Sequence, residues 1–179
     1  IKESGVEGLS LREVARRLGV SHQAPYKHFA SRDHILAAVV ARCFEEFAAH
    51  LEARPKRADP CEDLGEMGLA YLGYARLNPL KYRLMFNSPL PDGAEHTEML
   101  AQAQYGFALL HDRLKTMALR DPGGTIAEPA KHDALFILST LHVFASLMQS
   151  DVLGTIGLGD DEREVALGRM MRRLGMALV

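Results

Sequence analysis

Residues 21–29, SHQAPYKHF, bring together side chains able to handle both the base edges and the backbone of a nucleic acid. Gln23 can bond adenine at N6 and N7, and Ala24 and Pro25 offer apolar surface to a thymine methyl. His22 adds a ring donor or acceptor to that base-reading group. Tyr26, Lys27 and His28 supply the hydroxyl, ammonium and imidazole groups that grip phosphate without reading sequence. Ser21 heads the stretch as its cap, while Ser10 and Arg12 before it and Arg32 after it stand where further phosphate contacts are made. Phe29 reads as core, Tyr26 suits both roles, and Arg16 and Arg17 read as a solvated face or second-line phosphate contacts.

Catalytic patterns do not compete with this reading. GTIGLG at 154–159 lacks the G-x-G-x-x-G spacing and a preceding strand, so it reads as a flexible loop. The sequence holds no G-x-S-x-G and no P-loop. His96, His111, His132 and His142 are scattered without H-x-x-x-H spacing or cysteine partners, so no metal or cofactor is expected. Cys43 and Cys61 lie far apart with no C-x-x-C, which suits free thiols in a reducing cytoplasm. No apolar run reaches the length of a membrane span, so no membrane partner is expected. Net charge is −2, but residues 1–34 hold six Lys or Arg against four acids, or +2, and the remainder is −4. The basic excess falls on the segment that carries the nucleic-acid chemistry.

Two short elements must position those residues. In LSLREVARRLGVS, Leu11, Val14, Ala15 and Leu18 recur at i, i+3, i+4 and i+7, one face of a helix. Ser10 and Glu13 form an S-x-x-E capping box, in which the hydroxyl meets the residue-13 amide and the carboxylate returns to the Ser10 amide. Gly19 can close the helix in the left-handed conformation, with Val20 folded back on its apolar face. With Ser21 as cap of the next element, Pro25 removes an amide only at the helix start, where the loss is small. It also pushes Ala24 away from α geometry. The sequence therefore predicts an irregular first turn and regular helix from about Pro25. Two short helices joined by a Gly-containing turn make a helix-turn-helix, whose second helix enters the major groove.

The run LSLREVARRLGVSHQAPYKHFASRDHILAAVV resembles the DNA-binding domain of TetR/AcrR bacterial transcriptional regulators. Ser10, Val14, Ala15, Gly19, Val20, Ser21, Tyr26, His28, Phe29 and Leu36 stand in that family's spacing. ARLNPLKYRLMF is similar to a segment found in a subset of these regulators. The resemblance implies an all-α chain: a helix-turn-helix, three-helix DNA-binding domain at 1–50, then a larger helical effector-binding and dimerisation domain at 51–179. Relative to the family, IKESGVEG reads as the last turn of a first helix and the loop after it, so residues upstream are expected.

The rest of the chain reads as helices. Ser31 caps a long helix through about Glu52, with Leu36, Val39, Val40, Cys43, Phe44 and Phe47 on its apolar side. Others are expected at about 60–77, at Pro79 onward with Asn78 as cap, at 94–119, at 129–150 and at 161–178. The segment PAKHDALFILSTLHVFASLMQS is apolar on almost every side, which calls for cover all round. The last helix puts Leu167, Met170, Met171, Leu174 and Leu178 on one stripe, with Gly168 and Gly175 as small residues for close approach.

What the resemblance implies for function is a homodimeric regulator, usually a repressor, that binds a pseudo-palindromic operator in double-stranded DNA and is released by a small apolar effector. Tyr71, Tyr74, Met85, Phe86, Tyr105, Phe107, His111, Phe144 and Met148 lie in the helices that surround the effector cavity of such regulators. The last two long helices, through Phe136, Leu167, Met170, Met171, Leu174 and Leu178, are expected to pair with their copies as a four-helix bundle; packing within one subunit is the alternative. The rival to the whole reading is a helical dimeric interaction or small-molecule carrier module without specific DNA binding.

Overall fold

The computed structural model describes residues 10–120 and 130–176, with side chains described as far as Leu174. Among the described residues all regular structure is helical: α1 (Leu11–Arg17), a 3-10 turn (Pro25–Lys27), α2 (Arg32–Glu52), α3 (Pro60–Leu77), α4 (Pro79–Phe86), α5 (Thr97–Arg120), α6 (Lys131–Met148), α7 (Val152–Thr155) and α8 (Asp160–Met176). The short α7 overlaps the glycine-rich segment expected to be loop at Gly154 and Thr155, and Gly157 follows it with φ +83°. No helix is long and apolar enough to cross a membrane among the described residues.

The chain forms two compact units, Ile1–Phe47 with Asn78–Gly106, and Ala48–Leu77 with Phe107–Val179. α4 and the first part of α5 group with the N-terminal helices.

In the first unit α2 buries Leu36, Val40, Cys43, Phe44 and Phe47 at helical spacing, while Val39 stays exposed. Tyr82, Leu84 and Met85 of α4 and Met99 of α5 are buried in the same unit. Phe86 sits edge-on to Phe44 and Phe47 at ring-centroid separations of 5.8 and 5.9 Å, the arrangement that aligns a ring edge with a π face. Lys81 of α4 pairs with Glu46 of α2 at the margin of this core. Asn78 and Pro79 start α4 in the expected order, although the Asn78 side chain makes no capping bond.

In the second unit α3 buries Leu64, Met67, Tyr71, Tyr74 and Ala75, and α6 buries Ala134, Ile137, Leu141 and Ala145. Small residues let the helices approach: a Cβ placed on Gly68 would stand 2.8 Å from Cε of Met171 on α8. The buried carboxylate of Asp63 accepts from Arg54 Nη2 at 2.8 Å and from the Arg57 amide at 3.0 Å, and Arg113 Nε lies 3.2 Å away. Gln149 at the end of α6 donates to the Ala75 carbonyl at 3.0 Å.

The expectation that α6 is covered on every side does not hold within one chain. Leu135, Phe136, Val143 and Leu147 are exposed, because α3 covers only the face of Ala134, Ile137, Leu141 and Ala145.

Candidate nucleic-acid interface

The N-terminal cap is formed as expected in one half. The Glu13 amide donates to Ser10 Oγ at 3.3 Å. The Glu13 carboxylate does not turn back toward the Ser10 amide. It takes Arg16 Nη2 at 2.7 Å and Arg17 Nε at 3.0 Å, because those cations are one turn away on the same face. The hydrogen bonds from Arg16 and then Arg17 hold the Glu13 carboxyl down at about 2. Both arginines are thereby paired along α1, the solvated-face reading.

The end of α1 is a Schellman motif. The Val20 amide reaches the Ala15 carbonyl at 3.0 Å and the Gly19 amide reaches Arg16 at 3.2 Å, with Gly19 at φ +68°. This turn throws the chain away from α1 toward the contact residues.

The second element departs from the sequence reading. Pro25–Lys27 is 3-10, with no regular α-helix following it, and Ala24 keeps αR geometry (φ −57°, ψ −42°) despite the proline after it. Successive i→i+3 bonds explain this. Ala24 donates to Ser21 at 3.0 Å, Tyr26 to Gln23 at 3.1 Å, Lys27 to Ala24 at 3.3 Å and His28 to Pro25 at 3.1 Å. Pro25 has no amide to join them, and the tighter winding absorbs its ring.

This winding leaves His22, Gln23, Tyr26, Lys27 and His28 exposed, with Ala24 and Pro25 half-buried beneath them. His22 Nε2 and Gln23 Nε2 lie 3.3 Å apart, so the two base-reading candidates form one pair. Ser10, Arg12 and Ser21 are exposed, and Arg32 is half-buried at the start of α2. Ser31 caps α2 by accepting the His34 amide at 3.3 Å, and its hydroxyl also meets His34 Nδ1 at 2.9 Å. His34 in turn stands edge-on to His96, with ring centroids 4.7 Å apart. Sequence reasoning missed this pair, since nothing local links residues on α2 with the segment before α5.

The effector candidates divide between the two units. Met85, Phe86 and Tyr105 belong to the first unit, and Tyr71, Tyr74, Phe107, His111, Phe144 and Met148 to the second. Tyr71, Tyr74 and Met85 are buried core, whereas Tyr105 and Phe107 are exposed. Phe107 and His111, one turn apart on α5, stack at 6.2 Å. A cavity of about 60 Å³ opens elsewhere in the second unit, lined by Cys61, Leu64, Gly65, Gly68, Ile137, Leu141, Met171 and Leu174. It is well below the range of typical small-molecule pockets, about 300–1,000 Å³. Burial raises the Cys61 thiol above its ordinary range, with Asp59 adding to the shift.

Of the dimer candidates, Phe136 is exposed, and Leu167, Met170 and Met171 are half-buried. Leu174 keeps only 7% of its surface and lines the cavity with residues of α3 and α6, so its burial is complete without a partner. Leu178 lies outside the described residues. The faces left open are Leu135, Phe136, Val143 and Leu147 on α6 and Val165 on α8. No group of three or more His, Cys, Asp or Glu side chains suits a metal ion among the described residues.

Comparison with known proteins matches both parts of the chain. Residues 1–39 match the model for bacterial regulatory proteins of the tetR family, and residues 64–174 match the tetracyclin repressor-like C-terminal domain. A 92-residue stretch, half of this chain, is 34% identical to the HTH-type transcriptional regulators Rv1816 of Mycobacterium tuberculosis and Mb1846 of Mycobacterium bovis, covering 39% of their length. The fold is similar to that of the TetR family transcriptional regulator PfmR from Thermus thermophilus, with TM-score 0.72 at 21% identity over 99% of this chain and 93% of that one. A Rhodococcus protein of unknown function is similar at TM-score 0.70 and 25% identity over 97% of this chain and 89% of that one. The two matched models between them span most of the sequence, and this chain belongs to the TetR family of bacterial transcriptional regulators.

Proposed function

We propose that the protein acts in the cytoplasm as a homodimeric DNA-binding repressor released by a small apolar effector. Residues 1–50 serve DNA and residues 51–179 serve the effector and the dimer. The observation that carries the reading is the exposed run His22, Gln23, Tyr26, Lys27 and His28, wound tightly after the Gly19 turn between two serine-capped helix starts. Gln23 and His22 read base edges, while Tyr26, Lys27, Arg12 and Ser10 hold phosphate.

The exposed apolar stripe of Leu135, Phe136, Val143 and Leu147 supports a second copy as partner. A twofold pair sets its recognition turns about 34–36 Å apart, one helical turn of a pseudo-palindrome. The effector part rests on the apolar cavity beside Met171. At about 60 Å³ it is smaller than the cavity of about 150 Å³ that admits benzene, so an effector enlarges it by displacing the adaptable Met171 thioether. A ligand that binds one dimer geometry more tightly lowers affinity for DNA held by the other.

Fluorescence-anisotropy selection against a random duplex pool, over a salt series, tests the reading. A twofold symmetric site whose binding weakens steeply with salt is expected. Enrichment of no sequence, before and after refolding to strip bound ligand, would overturn it in favour of a helical interaction or carrier module.

A further inference from the structure

One outward face of α8 carries acid before and base after the step from Val165 to Ala166. Asp161, Glu162, Val165, Ala166 and Arg169 line one shallow groove along the helix surface. Their spacing is that of a single helical face. Val165 is 56% exposed at its centre, while Met171 and Leu174 line the internal cavity with residues of α3 and α6. Glu162 Oε2 accepts from the Gly159 amide at 2.9 Å, which fixes the carboxylate and leaves its other oxygen open. The ion pair on this helix among the described residues joins Asp160 to Arg163, and Arg169 has no carboxylate partner there.

An exposed Val–Ala step with acid one turn before it and base one turn after it is the complement of itself turned end for end. In a twofold contact, residue i meets j and j meets i. Positions 162 and 169 are equidistant from the midpoint between 165 and 166. An antiparallel crossing at that midpoint therefore sets Glu162 opposite Arg169 of the partner subunit, and does so twice. A parallel crossing sets like charges together. The small Val165 and Ala166 side chains at the crossing allow close approach of the helix axes.

We propose that α8 pairs antiparallel with α8 of a second copy of this chain, crossing at Val165 and Ala166, with the two Glu162–Arg169 pairs fixing its register and its choice of partner. This rests on the homodimer reading and adds to it the orientation, the centre and the selectivity of the contact. The selectivity comes from repulsion of subunits without the mirrored charges as much as from attraction of those with them.

Sedimentation equilibrium on the protein and three charge variants tests it. E162R and R169E each leave like charges facing at both pairs, and each is expected to raise the dimer dissociation constant about tenfold or more. An equimolar mixture of the two variants is expected to form heterodimers at close to the unmodified affinity, since base at both positions then meets acid at both. The double variant E162R/R169E is expected to recover the homodimer, which also shows that the single variants are folded. A dimer indifferent to all three variants, with no heterodimer preference in the mixture, would overturn the register and leave the homodimer standing. An unmodified protein that sediments as a monomer would overturn both.

Discussion

The Val20 amide donates to the Ala15 carbonyl at 3.0 Å, closing α1 across a Gly19 held at φ +68°. Space at Gly19 is open, with nothing within 4 Å of an added Cβ, so the cost of Gly19→Ala is that of the backbone alone. A left-handed alanine costs roughly 1–2 kcal/mol. We expect a lower urea midpoint with an unchanged slope, and weaker specific DNA binding because the exit direction toward His22 and Gln23 is lost. An unaltered midpoint would contradict the role given to this turn.

Glu13 already pairs with two arginines of α1. Its carboxyl, held at about 2, stays ionised at any pH used for DNA binding. Glu13→Gln therefore releases Arg16 and Arg17 toward phosphate, and is expected to raise non-specific DNA affinity and steepen its salt dependence. Lys27→Ala is expected to do the reverse, lowering the salt slope by about one while weakening all sequences alike. Anisotropy titrations across a salt series read both effects.

Asp63 is 4% exposed and shared by Arg54, Arg113 and the Arg57 amide. Asp63→Ala leaves buried guanidinium charge without its counter-ion and is expected to cost about 3–5 kcal/mol, measured by chemical denaturation. Burial opposes ionisation here, but the Arg57 amide and Arg54 outweigh it and hold the carboxyl below its ordinary value of 3.8. The stability it contributes is therefore fully present above about pH 4 and is lost as pH falls through the lowered pKa. Removing Asp63 should flatten that part of the stability–pH curve.

Leu174 and Val143 separate core from interface. Leu174 is 7% exposed and Val143 55%. Leu174→Glu buries a charge within the second unit and is expected to lower its unfolding temperature sharply. Val143→Glu is expected to leave the fold intact and shift sedimentation toward the monomer. A folded Leu174→Glu monomer would reverse this assignment.

Much of the fold was legible because its boundaries are local chemistry. Ser10, Gly19 and Ser31, and the proline starts at Pro60 and Pro79, mark helix ends through groups a few residues away. The 3-10 winding at Pro25 was not, since the bias of a pre-proline residue is weaker than the summed i→i+3 bonds around Ala24. Local pairings were not legible either: the Glu13 carboxylate takes Arg16 rather than the Ser10 amide, and Gln23 meets His22. On α8, Leu174 of the expected dimer stripe is buried within its own chain. A run of Leu and Met at helical spacing reads the same whether the surface it meets belongs to its own chain or to another, and here Gly68 and Leu141 supply it.

A helix face that is its own complement is also an address. Chains built on this fold can be told apart by where along α8 their charges reverse, without altering the residues that touch DNA. Two versions without a reversal, one acidic at both positions and the other basic at both, favour each other over copies of themselves. Each could then carry a different sequence between Ser21 and His28, and the pair would recognise a site whose two halves are unlike.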